Sequence, residues 1–169
     1  NHLIDIGRNR IAHIAGTNSS PSFDRLRGYS NALEKRGLSM PESYVVVRER
    51  VEEKGDQAGY QAMQELLSQS PRPDAVFCYN DLTAVGAMDA TLKAGLRIPE
   101  DIAFIGCGNF RYADYLRVPL SSIDHDTAEL GKLAGEFALD LSAKPEQAPR
   151  SVLVQSKLVV RESAAGKTA

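Results

Sequence analysis

The chain has no tryptophan, only three histidines and two cysteines, and no apolar run much longer than a strand. Runs that short cannot cross a bilayer as a helix. The first residues also lack the basic-then-apolar order of an export signal, so the expected compartment is the cytoplasm. Twenty Lys and Arg stand against 22 Asp and Glu, a net charge of -2, which leaves no basic excess with which to hold nucleic acid. His2, His13 and His125 are too far apart in sequence to form a metal-ligand set. Neither a P-loop nor a G-x-S-x-G elbow occurs, and "GCGNFR" has Arg111 where a dinucleotide fingerprint needs its third glycine. No metal, no cofactor and no catalytic activity are therefore expected.

Hydrophobic residues make up 43 % of the 169, enough for one domain with a real core. "IAHIAG" (11–16), "YVVVRE" (44–49), "DAVFCY" (74–79) and "IAFIGC" (102–107) read as strands. They alternate with helical patterns over 22–37, 56–69 and 81–94, the last with Asp81 as its cap. That alternation implies βαβ crossovers, hence an α/β fold with a doubly wound, mainly parallel sheet flanked by helices. Cys78 and Cys107 lie in apolar strand runs and are expected as buried, reduced thiols. The tail adds a short strand, "LSSID" (120–124), an amphipathic helix over 127–142 and a long strand candidate over 151–163. The helix face Leu130, Leu133, Phe137, Leu141 has no evident partner in the sequence.

Ligands of open α/β sheets lie outside the carboxyl ends of the strands, where loop amides and helix N-termini converge. Those exits supply Thr17, Asn18, Ser19, Asn80, Asp81 and Asn109, with Arg25 one turn into the first of those helices. Hydroxyls, amides and a carboxylate orient a polyol or small polar metabolite. Each is also a common turn former or cap.

"RLRGYSNALEKRGL", "RPDAVFCYNDLTAVGAMDATLKAGLRIPEDIAFIGCGN" and "PLSSID" resemble the effector-binding core of the lactose repressor family of bacterial transcription regulators. The resemblance covers nearly the whole chain. It implies a lobe of the type I periplasmic-binding-protein kind, part of a repressor whose helix-turn-helix is not in this sequence. In these terms 1–124 is the C-terminal lobe, 125–145 a crossover and helix of the other lobe, and 146–169 a returning strand and frayed tail. Arg25 falls on the arginine of an R-x-x-G pattern that grips effector hydroxyls or carboxylates. Asn80 is expected on the effector, with Asp81 capping its helix, and His125 stands where relatives often carry glutamine.

The resemblance also implies a homodimer, with Val85, Tyr115 and Leu116 near the two-fold axis, and operator DNA as a partner only through the missing headpiece. Two departures matter. Gly108 stands where relatives often carry a sugar-binding aspartate, so Gly108→Asp is expected to restore a sugar acceptor. "RERVEEKGD" offers no stacking aromatic but brings Arg48, Arg50 and Lys54. Both departures shift the expected effector from a neutral sugar toward a sugar phosphate or sugar acid. The rival readings are a lobe of a periplasmic sugar-binding protein and a doubly wound enzyme that holds phosphate on "GCGNF" or "GTNSS".

Overall fold

The computed structural model describes residues 1–17, 19–48 and 54–166. Six strands form one sheet: β1 (Ile11–Ala15), β2 (Val45–Val47), β3 (Ala75–Cys78), β4 (Ala103–Cys107), β5 (Ser121–Asp124) and β6 (Lys157–Val159). Their spatial order is β2-β1-β3-β4-β5-β6. All pairings are parallel except β5 with β6, which is antiparallel. The order reverses between β1 and β3, and such a switch point opens a crevice at the strands' carboxyl ends.

The helices are α1 (His2–Asp5), α2 (Ser20–Lys35), α3 (Gly55–Leu67), α4 (Asp81–Lys93) and α5 (Thr127–Ala143). Side-chain alternation along the strands sorts the core into two layers. Ala12, Ile14, Val76 and Phe104 pack with Met63 and Leu66 of α3 and Ala84 and Ala87 of α4. Ile11, Phe77, Ile105 and Ile123 face the other way, onto Leu3 of α1 and Tyr29 and Leu33 of α2. Every residue of β1 and β4 is buried, as a parallel strand covered on both faces requires.

Helices α3 and α4 touch backbone to backbone. A β-carbon on Gly59 would collide with the Thr83 carbonyl, and one on Gly86 with the Asp56 carbonyl. The two glycines let α3 and α4 approach closely, which fixes where α4 begins. Both cysteines are buried and unbridged, as expected.

The tail departs from the sequence reading in two ways. The strand expected over 151–163 shrinks to Lys157–Val159, and Leu153 before it is 93 % exposed. Only three residues pair with β5, because Ser121 and Ser163 take over the bonding beyond them: the Ser121 amide donates to Ser163 Oγ at 2.8 Å, and Ser163 Oγ donates to the Phe104 carbonyl. Helix α5 buries none of its residues. Its apolar face is met in part by the chain's own 147–150 segment, with the Arg150 guanidinium 4.0 Å from the Phe137 ring centre. Leu130 and Leu141 of that face remain exposed.

Candidate functional site

The loops after β1, β3 and β4 come together at one end of the sheet. After β1, the Ser19 hydroxyl caps α2 by accepting from the Ser22 amide, and Ser22 Oγ donates to the Gly16 carbonyl at 2.7 Å. Thr17 lies in this turn, its carbonyl accepting from the Ser19 amide. Asn18 lies outside the described residues. This cap aims Arg25, one and a half turns into α2, back over the strand ends.

The Arg25 guanidinium lies over the Tyr79 ring, 4.6 Å from its centre. Tyr79 is close enough to β1 that a β-carbon on Gly16 would stand 2.7 Å from its ring, so that position must be glycine. No carboxylate among the described residues forms an ion pair with Arg25. A guanidinium held flat on an aromatic ring, without a counter-ion, is suited to a bidentate bond with an incoming anion or a vicinal polar pair.

At β3 the expected cap moves by one residue. Asn80, not Asp81, caps α4: its Oδ1 accepts from the Thr83 amide at 2.8 Å. Asp81 is fully buried, where its carboxylate accepts from the Phe110 amide at 2.9 Å and from the Ser122 hydroxyl. Capping consumes one oxygen of Asn80 and leaves its amide nitrogen for other work. Asp81 instead ties the start of α4 to the loop after β4 and to β5. Gly106 makes room for it, since a β-carbon there would strike the Asp81 carboxylate.

The loop after β4 turns through two left-handed residues, Gly108 at φ 135° and Asn109 at φ 49°. The Asn109 amide donates to Ser122 Oγ at 2.9 Å and its Nδ2 to Asp124 at 3.2 Å. Its side-chain oxygen accepts from Arg161 Nη2 at 2.8 Å. Arg161 also donates to Asp114 and to the Leu120 carbonyl. Asn109 is thus held from both sides by the protein itself. Sequence reasoning missed Arg161, which sits in an apolar run and shows no local motif; only its position opposite β5 reveals it.

The expectation for Gly108→Asp meets a strained position. At φ 135° any L side chain is strained, and a β-carbon would stand 2.9 Å from the Phe110 ring. A side chain at 108 would have to displace that ring.

His125 is half-buried, with Nε2 3.1 Å from Cys107 Sγ and Nδ1 3.0 Å from Ser156 Oγ. Burial pushes the Cys107 thiol pKa up, ahead of the opposing effect of Arg25, so the thiol stays protonated and its S–H donates to Nε2. The imidazole then donates through Nδ1 to Ser156. Residues 125 and 156 belong to the two chain crossings on either side of α5, and this chain of bonds joins both to β4.

Arg48 pairs with Glu65 at 2.5 Å, so its charge is already balanced, while Arg50 lies outside the described residues. A groove of about 470 Å³ runs between α2 and the sheet, lined by Arg25, Tyr29, Phe77, Ile105, Ile123 and Leu158 among others. None of the loop residues Thr17, Asn80, Asn109 and His125 lines it. The loop site is an open face rather than an enclosed pocket. Away from it, Val85 and Leu116 line one depression of about 410 Å³ with Met88, Leu92 and Val118, and Tyr115 is 76 % exposed. No group of three or more metal-ligating side chains occurs among the described residues.

A doubly wound sheet whose switch-point loops present capped helix N-termini, with an arginine that has no ion-pair partner among the described residues, defines an α/β domain of the ligand-binding kind. The chain belongs to the periplasmic binding protein-like domain family, whose description matches residues 1–164. It is 37 % identical over 168 residues to the HTH-type transcriptional repressor PurR of Escherichia coli O1:K1 / APEC, covering 97 % of this chain and 47 % of that protein. To the ribose operon repressor of Haemophilus influenzae it is 40 % identical over 163 residues, covering 95 % and 48 %. The chain thus spans about half the length of the curated relatives it matches.

Among solved structures, a transcriptional regulator CelR–cellobiose complex superposes with a TM-score of 0.86 at 31 % identity, covering 95 % of this chain and 48 % of that one. A sugar-binding LacI-family regulator from Escherichia coli complexed with phosphate gives 0.82 at 27 %, covering 95 % and 56 %. The resemblance to the effector-binding core of the lactose repressor family therefore holds, and the relatives are repressors rather than periplasmic transport proteins.

Proposed function

We propose that this chain is the ligand-sensing and dimerising lobe of a DNA-binding transcriptional regulator, with operator contact made by a headpiece outside these 169 residues. The observation that carries the ligand-sensing part is Arg25, laid over Tyr79 at the strand exits with no carboxylate partner among the described residues. Thr17 follows β1, Asn80 follows β3 and His125 follows β5; Asn18 completes the set in sequence. A guanidinium with no counter-ion favours a sugar phosphate or sugar acid over a neutral sugar. The phosphate held by one related regulator fits this class of effector, whereas the cellobiose held by another is a neutral sugar. The site binds and does not catalyse.

In this reading residues 1–124 form the C-terminal lobe. Helix α5, which buries nothing here, belongs against a second lobe, and β6 returns to the first. Ligand closes the lobes and biases a homodimer built on Val85, Leu116 and the exposed Tyr115. That bias changes operator affinity, and operator binding must shift effector affinity by the same factor. The test is titration calorimetry on the full-length regulator with ribose and ribose 5-phosphate. The phosphate is expected to bind more tightly, and Arg25→Ala to weaken it by about 100-fold, the loss of a charged bidentate bond. Equal binding of both by the wild type and the variant would remove Arg25 from the site.

A further inference from the structure

We propose that Phe110 is a specificity-determining residue of the effector site: its ring replaces a side chain at position 108 and receives the flat, hydrogen-lined face of a cyclic ligand. The inference rests on the ligand-sensing reading above and names what the ligand must present next to its anionic group.

Position 108 has no side chain, yet the space beside its backbone is filled. A β-carbon on Gly108 would stand 2.9 and 3.1 Å from two carbons of the Phe110 ring. The ring therefore lies on the α-carbon at the strand exit, where a polar side chain would otherwise meet a ligand. It does so without being buried, since Phe110 remains 57 % exposed.

The ring is also held in place. The Phe110 amide is bound by buried Asp81, the residue before it is fixed by Ser122, Asp124 and Arg161, and the Tyr112 ring stacks beside it at 5.8 Å and 7°. Binding to a side chain already immobilised costs little ordering entropy. Gly108 follows Cys107, whose Sγ lies 3.1 Å from His125 Nε2, so the ring stands at the same strand exit as His125. The strand exits then offer a charge over Tyr79 and a flat apolar surface over Gly108, which suits a ring-bearing anion that spans the two. A second copy of the chain is a less apt occupant, because the Val85–Leu116 depression, on the flank of α4, does not include Phe110.

The test compares ribose 5-phosphate with ribitol 5-phosphate, its acyclic counterpart with the same carbon count and the same phosphate, by calorimetry on the full-length regulator. The ring form is expected to bind about tenfold more tightly. Phe110→Ala should reduce it to the level of the acyclic form and leave the latter unchanged, and Phe110→Tyr should retain the preference. Equal binding of the two by the wild type, an equal loss of both in Phe110→Ala, or a changed self-association with unchanged ligand affinity would each overturn the assignment. Failure of the anion reading is separable: Arg25→Ala would then leave both affinities intact while the ring preference persists. Absence of saturable binding by either compound overturns both readings.

Discussion

His13 shows how one residue can make a fold sensitive to acid. It is wholly buried in β1, stacked on Phe77 at 4.8 Å, with Nδ1 donating to the Phe77 carbonyl and Nε2 without a partner. Burial holds its pKa down at about 4, against an ordinary 6.5. On unfolding, the imidazole regains its ordinary basicity. Between those values the unfolded chain takes up a proton that the folded chain refuses, so this contribution to stability is complete above pH 6.5 and drains as the pH falls toward 4. From pH 7 to pH 5 the loss should be roughly 2 kcal/mol. Urea unfolding at the two values would check it: His13→Phe, which cannot titrate, should lose less stability by that amount. Parallel losses in the two proteins would assign the acid sensitivity to carboxylates instead. At the same scale, Asn80 and Asp81 differ by one position and do opposite work, one capping a helix at the surface and the other buried as a tie between three elements.

Among the elements, α3 and α4 are the pair whose spacing leaves least tolerance. Gly86→Ala places a methyl group on the Asp56 carbonyl, and because the obstacle is backbone, no side-chain rotation relieves it. The helices must separate, at a cost of about 3 kcal/mol or more, although alanine has the better helix propensity. Thermal unfolding should show a lower midpoint for Gly86→Ala, while Gly28→Ala, on α2 with open space around it, should be neutral or stabilising. An unchanged midpoint for Gly86→Ala would mean that the contact yields easily. The consequence reaches the site, because α4 carries Asn80 and Asp81 at its start, so separating α3 from α4 moves the loop that Asp81 holds.

For the whole molecule, the uncovered face of α5 governs association. Leu130 and Leu141 remain exposed on a helix that buries nothing, and Leu139 adds a further 73 % exposed side chain. Apolar surface of this kind on an isolated chain favours association. The 169-residue chain should therefore self-associate with rising concentration, as measured by light scattering after size exclusion, and Leu130→Glu with Leu141→Glu should suppress it. A wild-type monomer at high concentration would show that the 147–150 segment suffices as a cover. In the longer regulator proposed above, the same pair of substitutions tests contact with the proposed second lobe, whereas Leu116→Arg tests the proposed dimer surface.

The order of strands and helices was legible in the sequence because burial on both faces of a parallel sheet leaves continuous apolar strands, and one-sided burial leaves a 3.6-residue period on helices. Arg25 was expected near the strand exits from its place early in the first long helix and from the R-x-x-G pattern of the resembled family, and it lies over Tyr79. What the sequence could not set was the traffic between elements distant along the chain. Arg161 reaches Asn109 across 52 residues and Ser122 reaches Asp81 across 41, and neither contact leaves a local pattern. The cap at α4 fell to Asn80 because Asp81 had a stronger claim from buried donors on two other elements. Gly108 is the sharpest instance: the sequence records only a missing side chain, and the tertiary structure decides that an aromatic ring two residues later occupies its place, because a left-handed turn folds Phe110 back over the bare backbone.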